Sequence, residues 1–391
     1  MTLRFGREAL SIPGPSVFPD RVLQAMQRPA PNIYEGEIVE LTGTLHRDLK
    51  RVARTEGDSA IYVANGHGAW EVALANTLSP GDTVLVLASG TFAAGWGRMG
   101  EAMGIKVQTL DAGFRDPVDP AAVEARLRED TSHTIAAVLV VQIDTASSVW
   151  NDIEAIGQAI RASGHPALYM VDCIASLGSV PYEMDAWGVD VTVAACQKGL
   201  MTPPGISFNF VGPRAWEARE RLDRVPSHWD WDLRCRSDIY YLQFGGTPPT
   251  HHLFALREAL DLLLDEEGLE AAWRRHHVLA RAVRACVGCW ADGGPFELNI
   301  LDPAHRSDAV TTVLTNDVDA TELRAHALDQ HGLVLGLSIG MDGDGFRIGH
   351  MGHLNPPMLL GTLATTEASM RTLGIPHRSG IEAAIAEIAA A

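Results

Sequence analysis

Lys198 stands in Val191-Thr-Val-Ala-Ala-Cys-Gln-Lys198-Gly, directly after an apolar run that reads as a buried strand, and it follows Asp172 by 26 residues. A lone ammonium in such a place costs free energy unless it is paired or gives up its proton. A desolvated amine is neutral and nucleophilic, so this position suits imine formation with an aldehyde. Asp172 ends a second hydrophobic run, Tyr169-Met-Val-Asp172. Its carboxylate would suit a protonated pyridine nitrogen, and an aldehyde-bearing pyridine held between the two residues is pyridoxal phosphate. The same pair could instead form a buried Asp–Lys ion pair that serves packing.

A phosphate site can be argued separately. Asn65-Gly66-His67-Gly68 lies between an expected strand and an expected helix. Glycines there let backbone approach a ligand, and the first amides of a helix can hold an anion. The alternative is a tight turn with Asn65 as helix cap. Gln197, next to Lys198, offers a neutral donor to the same phosphate. Ser89-Gly-Thr-Phe92 follows another strand candidate, and Phe92 offers an aromatic face to a planar ring, or a place in the core.

These residues need a scaffold that delivers several strand ends to one place. Strands are expected at Ser59–Val63, Thr83–Ala88, Ile105–Thr109, Ile135–Ile143, Ala167–Val171, Val189–Ala195 and Ser207–Val211. A helix is expected from Gly68 to Leu78, closed by Pro80-Gly81-Asp82. Continuous apolar runs joined by helical segments predict an α/β fold with a mainly parallel sheet covered on both faces. After Gln243 the pattern changes to a long helical stretch, His252–Ala285, interrupted near Asp265-Glu-Glu-Gly268. Short elements follow at Thr311–Leu314, Ala320–His331, Leu333–Leu337 and Phe346–Ile348, which predict a smaller C-terminal α+β domain. The expected division is an N-terminal segment, 1–20, a large domain, 21–250, and a small domain, 251–391. The Ala-rich tail from Ile381 reads as a docked helix.

Composition narrows the partners. A formal charge of −18 over 391 residues argues against a general nucleic-acid surface and against adhesion to anionic membranes. The longest apolar run, Ile135–Ile143, is broken by Gln142 and too short to span a bilayer. The N-terminus lacks the apolar core of a secretory signal, so a cytoplasmic location is expected. Five cysteines without a dense framework suit reduced thiols. Cys286-Val-Gly-Cys289 has metal or redox spacing but no second pair, so no metal site is expected.

The chain resembles the class V, fold-type I pyridoxal phosphate aminotransferases, on the alanine–glyoxylate and serine–glyoxylate side of that family. The resemblance runs from Ile12-Pro-Gly-Pro15 to Arg347-Ile-Gly349. It is carried by Asn65-Gly-His-Gly-Ala-Trp-Glu71, Thr145-Ala-Ser-Ser148, Val171-Asp-Cys-Ile-Ala-Ser176 and Cys196-Gln-Lys-Gly199. It implies that Lys198 forms the internal aldimine and that Asp172 pairs with the ring nitrogen. It further implies that Asn65, Gly66, His67 and Gln197 attend the phosphate, that Phe92 stacks on the ring and that Thr145 sits beside O3′. Gly14 and Arg347 would bind substrate, with Arg347 gripping the α-carboxylate, a task suited to a planar guanidinium.

A homodimer, or a larger assembly built on one, follows from the same resemblance. Phe244-Gly-Gly-Thr247-Pro-Pro resembles the loop that crosses to the partner's phosphate, with Phe244 where a tyrosine often stands and Thr247 as hydroxyl donor. Asn32-Ile-Tyr-Glu35 departs from the His-Arg segment of many glyoxylate enzymes and leaves the amino donor open; Tyr34, Glu35 and Trp70 are pocket candidates without assigned roles. The implied activity moves the amino group of alanine, serine or a similar donor to glyoxylate or pyruvate through pyridoxamine phosphate.

Pyridoxamine–pyruvate aminotransferases share the Arg347–Gly352 ending. They carry a further arginine where this chain has Ile339-Gly-Met-Asp342, which favours ordinary cofactor use here. A class V lyase and a non-enzymatic pyridoxal-binding module are the remaining alternatives.

Overall fold

The computed structural model describes residues 2–340 and 345–391. Its large sheet has seven strands in the order Asp58–Tyr62, Ser207–Val211, Val191–Ala195, Leu168–Asp172, Ile135–Val141, Thr83–Ala88 and Lys106–Asp111. All run parallel except Ser207–Val211, which is antiparallel to both neighbours. The sequence explains why both faces are covered. Val84 and Val86 enter one hydrophobic cluster while Leu85 and Leu87 enter another, and Val138 and Val140 are separated from Ala137 and Leu139 in the same way. Alternation places successive side chains on opposite faces, and each fully buried Val or Leu contributes about 1.5–3 kcal/mol.

Helices cover those faces, and their ends carry local signals. Ile153–Ser163 starts at Asp152, whose side chain accepts from the Ala155 amide at 2.9 Å, and stops at Gly164 with φ of 71°. Gly66–Ala75 starts at Asn65, whose side chain accepts from the Gly68 amide at 3.2 Å. Because the strands are parallel, their C-terminal ends share one edge of the sheet, where open α/β sheets bind ligands. The segments after Tyr62, Ala88, Val141, Asp172 and Ala195 all leave from that edge.

A five-stranded sheet, Ala9–Ser11, Leu333–Leu337, Gly345–Gly349, Val310–Leu314 and Glu297–Leu298, builds the second core. The N-terminal strand pairs with Leu333–Leu335, so the first residues are stitched to the C-terminal part before the chain reaches Pro13-Gly14-Pro15. Residues 251–272, expected with the small domain, pack differently. Leu253, Phe254, Leu256, Leu260, Leu263, Leu269 and Ala272 join the first core, and only from Leu279 does the helix Leu269–Gly293 enter the second. The apolar stripe of one long helix serves two cores in succession, which composition alone does not reveal. The tail forms the helix Ile381–Ala389 and buries Ala384. No described helix is long and apolar enough to cross a membrane.

Candidate active site

A cavity of about 310 Å³ opens at the C-terminal edge of the large sheet. Its lining includes Gly14, Asn65, Gly66, His67, Phe92, Thr145, Asp172, Gln197 and Lys198, so nine of the expected site residues meet there. Trp70 lines it too. Lys198 follows the strand Val191–Ala195 and is half-buried, its amine donating to the Pro13 carbonyl. Gly14 lies across that side chain with φ of +110°, and a Cβ there would fall 2.5 Å from the lysine Nζ. The backbone conformation therefore favours glycine at this position, and a side chain there would displace the end of the lysine.

Asp172 closes its strand with 3% exposure. Its Oδ1 accepts from the Ile174 amide and its Oδ2 from the Trp70 indole N–H, both at 2.7 Å. Burial raises its pKa to about 7 against these two bonds. Burial, then the positive charge of Arg347, lowers Lys198 to about 8. Only the unprotonated amine attacks a carbonyl. The rate at which cofactor-free protein captures an aldehyde is therefore expected to rise with pH through a midpoint near 8 rather than near the ordinary 10.5. A stopped-flow series showing a flat rate across that range, or a midpoint near 10.5, would contradict this.

Arg347 is buried in the strand Gly345–Gly349, immediately behind Thr145. Its Nε donates to the Leu337 carbonyl at 2.7 Å and Nη1 to the Thr145 carbonyl at 2.8 Å. Two of five guanidinium donors are thus spent on holding its orientation. It stands at the edge of the cavity rather than among its lining residues. Thr247 is exposed on the segment after the turn Tyr240–Phe244 and lies outside the cavity of its own chain. Phe244 is buried against Tyr240 with ring centroids 5.4 Å apart. Tyr34 and Glu35 are exposed and do not line the cavity; Tyr34 meets Tyr241 edge-on at 6.4 Å. Met341 and Asp342 of the segment that bears on pyridoxamine lie outside the described residues.

Asp144 escaped the sequence reading. It is fully buried, and its Oδ2 accepts from the Phe92 and Ala93 amides at 2.8 and 3.0 Å, its Oδ1 from Ala146 at 2.9 Å. It thereby caps the helix Thr91–Ala102 from outside and fixes where Phe92 enters the cavity. A signal existed: Asp144 ends the apolar run from Ile135 much as Asp172 ends its own. No described Cys lines the cavity; Cys173 is buried beside Asp172, and Cys286 is buried beside Glu367. No cluster suited to a metal ion occurs among the described residues.

A two-core α/β chain with a lysine and an aspartate at adjacent strand ends has the architecture of the fold-type I aminotransferases. The Aminotransferase class-V family pattern matches residues 33–339, and the chain belongs to that family; it is an aminotransferase. It is 39% identical to the serine–glyoxylate aminotransferase of Methylorubrum extorquens over 97% of this chain and 95% of that protein. It is 34% identical to an L-aspartate–glyoxylate aminotransferase of Paracoccus denitrificans over 96% and 94% of the two chains. Among solved structures, pyridoxamine–pyruvate aminotransferase from Mesorhizobium loti superposes with a TM-score of 0.91 at 28% identity, over 100% of both chains.

Proposed function

We propose that the cavity holds pyridoxal 5′-phosphate and that the enzyme moves the amino group of a small, neutral amino acid to glyoxylate or pyruvate. The observation that carries this is the meeting of Lys198 and Asp172 in one cavity with a helix start, a stacking ring and an arginine around them. The residues suit the cofactor. The amides of Gly66 and His67, first in their helix, have no carbonyl one turn back to bond and can take a phosphate. Gln197 lines the same cavity, and its side-chain NH₂ can donate to a phosphate. Gly66 is pressed against the Ile174 side chain, so a Cβ would invade the floor of the site. Serine– and aspartate–glyoxylate aminotransferases among the relatives support glyoxylate as acceptor.

When bound, the cofactor supplies a carbonyl that takes up the amino group and a ring that withdraws electrons. Lys198, neutral at moderately alkaline pH, would be the residue that holds the group through that carbonyl, and its amine, once free, would move the proton taken from the substrate Cα. Asp172 would hold the ring at its nitrogen and favour a proton there. Phe92 would cover a ring face and exclude water. Arg347 grips the α-carboxylate and sets the Cα beside the amine. A keto acid leaves in the first half; glyoxylate leaves as glycine, or pyruvate as alanine, in the second. In a homodimer, Thr247 would donate to the phosphate held by the partner subunit.

Replacing Arg347 with Lys keeps a charge but loses the fork. The KM for the amino donor is expected to rise by about 10–100-fold with a smaller change in kcat. An unchanged KM would remove Arg347 from the substrate site.

The function is tested by a donor-by-acceptor screen of separate half-reactions, followed by absorbance and product analysis, with free pyridoxamine included. Conversion by serine or alanine and restoration by glyoxylate is the expected result. Activity confined to free pyridoxamine and pyruvate would select the second reading, which the Mesorhizobium likeness favours. Elimination without amino transfer would overturn both.

A further inference from the structure

Trp70 sits where a large aromatic ring would pack well with or without its N–H, and the N–H is nonetheless aimed at the most consequential carboxylate of the cavity. The ring is 1% exposed. Trp96, itself fully buried, stacks on one side with centroids 6.0 Å apart and an interplanar angle of 14°, and His67 lies against it at 4.6 Å. Trapped between these neighbours, the indole cannot rotate, so the direction of its N–H is fixed by packing. That direction ends on Asp172 Oδ2 at 2.7 Å, while the Ile174 amide holds Oδ1 at the same distance. With both oxygens engaged, the plane of the carboxylate is set, and the remaining lone pairs belong to whatever occupies the cavity.

The surroundings show why that bond matters. No described cation forms an ion pair with Asp172; Lys198 faces it from the neighbouring strand end and favours its charge, while Asp144 from the strand beyond opposes it. Burial opposes it most. Hydrogen bonds from Ile174 and Trp70 are therefore the strongest influences favouring the carboxylate form, ahead of the charge of Lys198, and Trp70 is the single side chain that donates one.

We propose that Trp70 is a positioning residue for the ring-nitrogen carboxylate: its trapped indole N–H fixes Asp172 and keeps it ionised, so that the proton of the pair resides on the cofactor nitrogen. This rests on the cofactor reading given above. Without the indole donor the buried carboxyl takes the proton, and the ring nitrogen becomes a neutral pyridine. The amino transfer then loses its electron sink even though every group that touches the substrate is in place.

The test is nitrogen-15 NMR of the holoenzyme reconstituted with pyridoxal phosphate labelled at the ring nitrogen, comparing wild type with Trp70→Phe, which keeps the aromatic packing and removes the donor. Wild type is expected to show the pyridinium shift. In Trp70→Phe the ratio of protonated to neutral nitrogen is expected to fall by about tenfold or more, the effect of one hydrogen bond to a charged group. Identical pyridinium shifts in the two proteins would overturn the proposal and leave the cofactor reading intact. A wild type that binds no labelled ring, or binds it unprotonated, would fail the cofactor reading itself.

A second measurement covers a Trp70→Phe protein that does not fold. In the indole N–H spectrum of wild type, one buried resonance is expected to move on cofactor loading and to move again in Asp172→Asn. Indole resonances indifferent to both changes would overturn the proposal.

Discussion

Lys198→Ala is expected to abolish turnover, by about 10⁴-fold or more, because one amine both forms the attachment and carries the proton. The protein should fold. The alanine removes a half-buried side chain that opens on a cavity and relieves a lysine whose proton affinity burial and Arg347 already depress. The only described hydrogen bond of its side chain is to the Pro13 carbonyl. Loss of the visible absorbance that the wild type gains on cofactor addition, with thermal stability retained, is the expected combination. Transamination at the wild-type rate in this variant would sink the mechanism, whatever other residues line the cavity.

Asp172→Asn separates chemistry from folding in a different way. The substitution is isosteric but swaps one acceptor oxygen for an NH₂ group, which must face either the Ile174 amide or the Trp70 indole, donor against donor. One lost bond in a buried place costs about 1–3 kcal/mol of stability. Turnover should fall further, by about 10²–10³-fold, since a fixed charge aimed at the reacting ring is removed. The sign with pH can be worked out from Asp172 itself. Its folded pKa, about 7, lies above the ordinary 3.8, so between those values the folded, cofactor-free protein binds a proton that the unfolded chain releases. Ionisation of Asp172 therefore destabilises the cofactor-free wild type as pH rises through that window, and the Asp172→Asn substitution removes this slope because an amide does not titrate. Calorimetry from about pH 4 to 7 should show the variant's stability gaining on that of the wild type as pH rises, and a constant difference between the two profiles would argue that Asp172 is not the titrating group.

Much of this was legible in the chain because the site is built from strand ends. The boundaries of Thr83–Ala88 and Ser207–Val211 follow directly from apolar runs bounded by polar or turn residues, and Asp172 and Lys198 announce themselves as charged residues ending such runs. Residues that reach the cavity from elsewhere were harder. Gly14 meets Lys198 only because Ala9–Ser11 pairs with Leu333–Leu335, a contact separated by more than three hundred residues that no local pattern encodes. Trp70 is legible as a pocket candidate but not in its role, because only the fold aims its N–H at Asp172. Asp144 contributes through backbone amides of another helix, an arrangement that leaves no spacing motif. The packing of residues 251–272 into the large core likewise depends on where one long helix crosses between two layers.

The central claim is that Lys198 is the residue to which the cofactor attaches, and the composition makes this unusually clean to test. The chain has three lysines, Lys50, Lys106 and Lys198, and the first two lie away from the cavity on the helix Glu37–Ala53 and the strand Lys106–Asp111. Borohydride reduction of the cofactor-loaded protein, followed by peptide mapping, should place a single phosphopyridoxyl group on Lys198 and leave the other two lysines free, with the label lost when an amino donor is added before the reductant. A label on Lys50 or Lys106, or none on Lys198 in a protein that transaminates, would contradict the account.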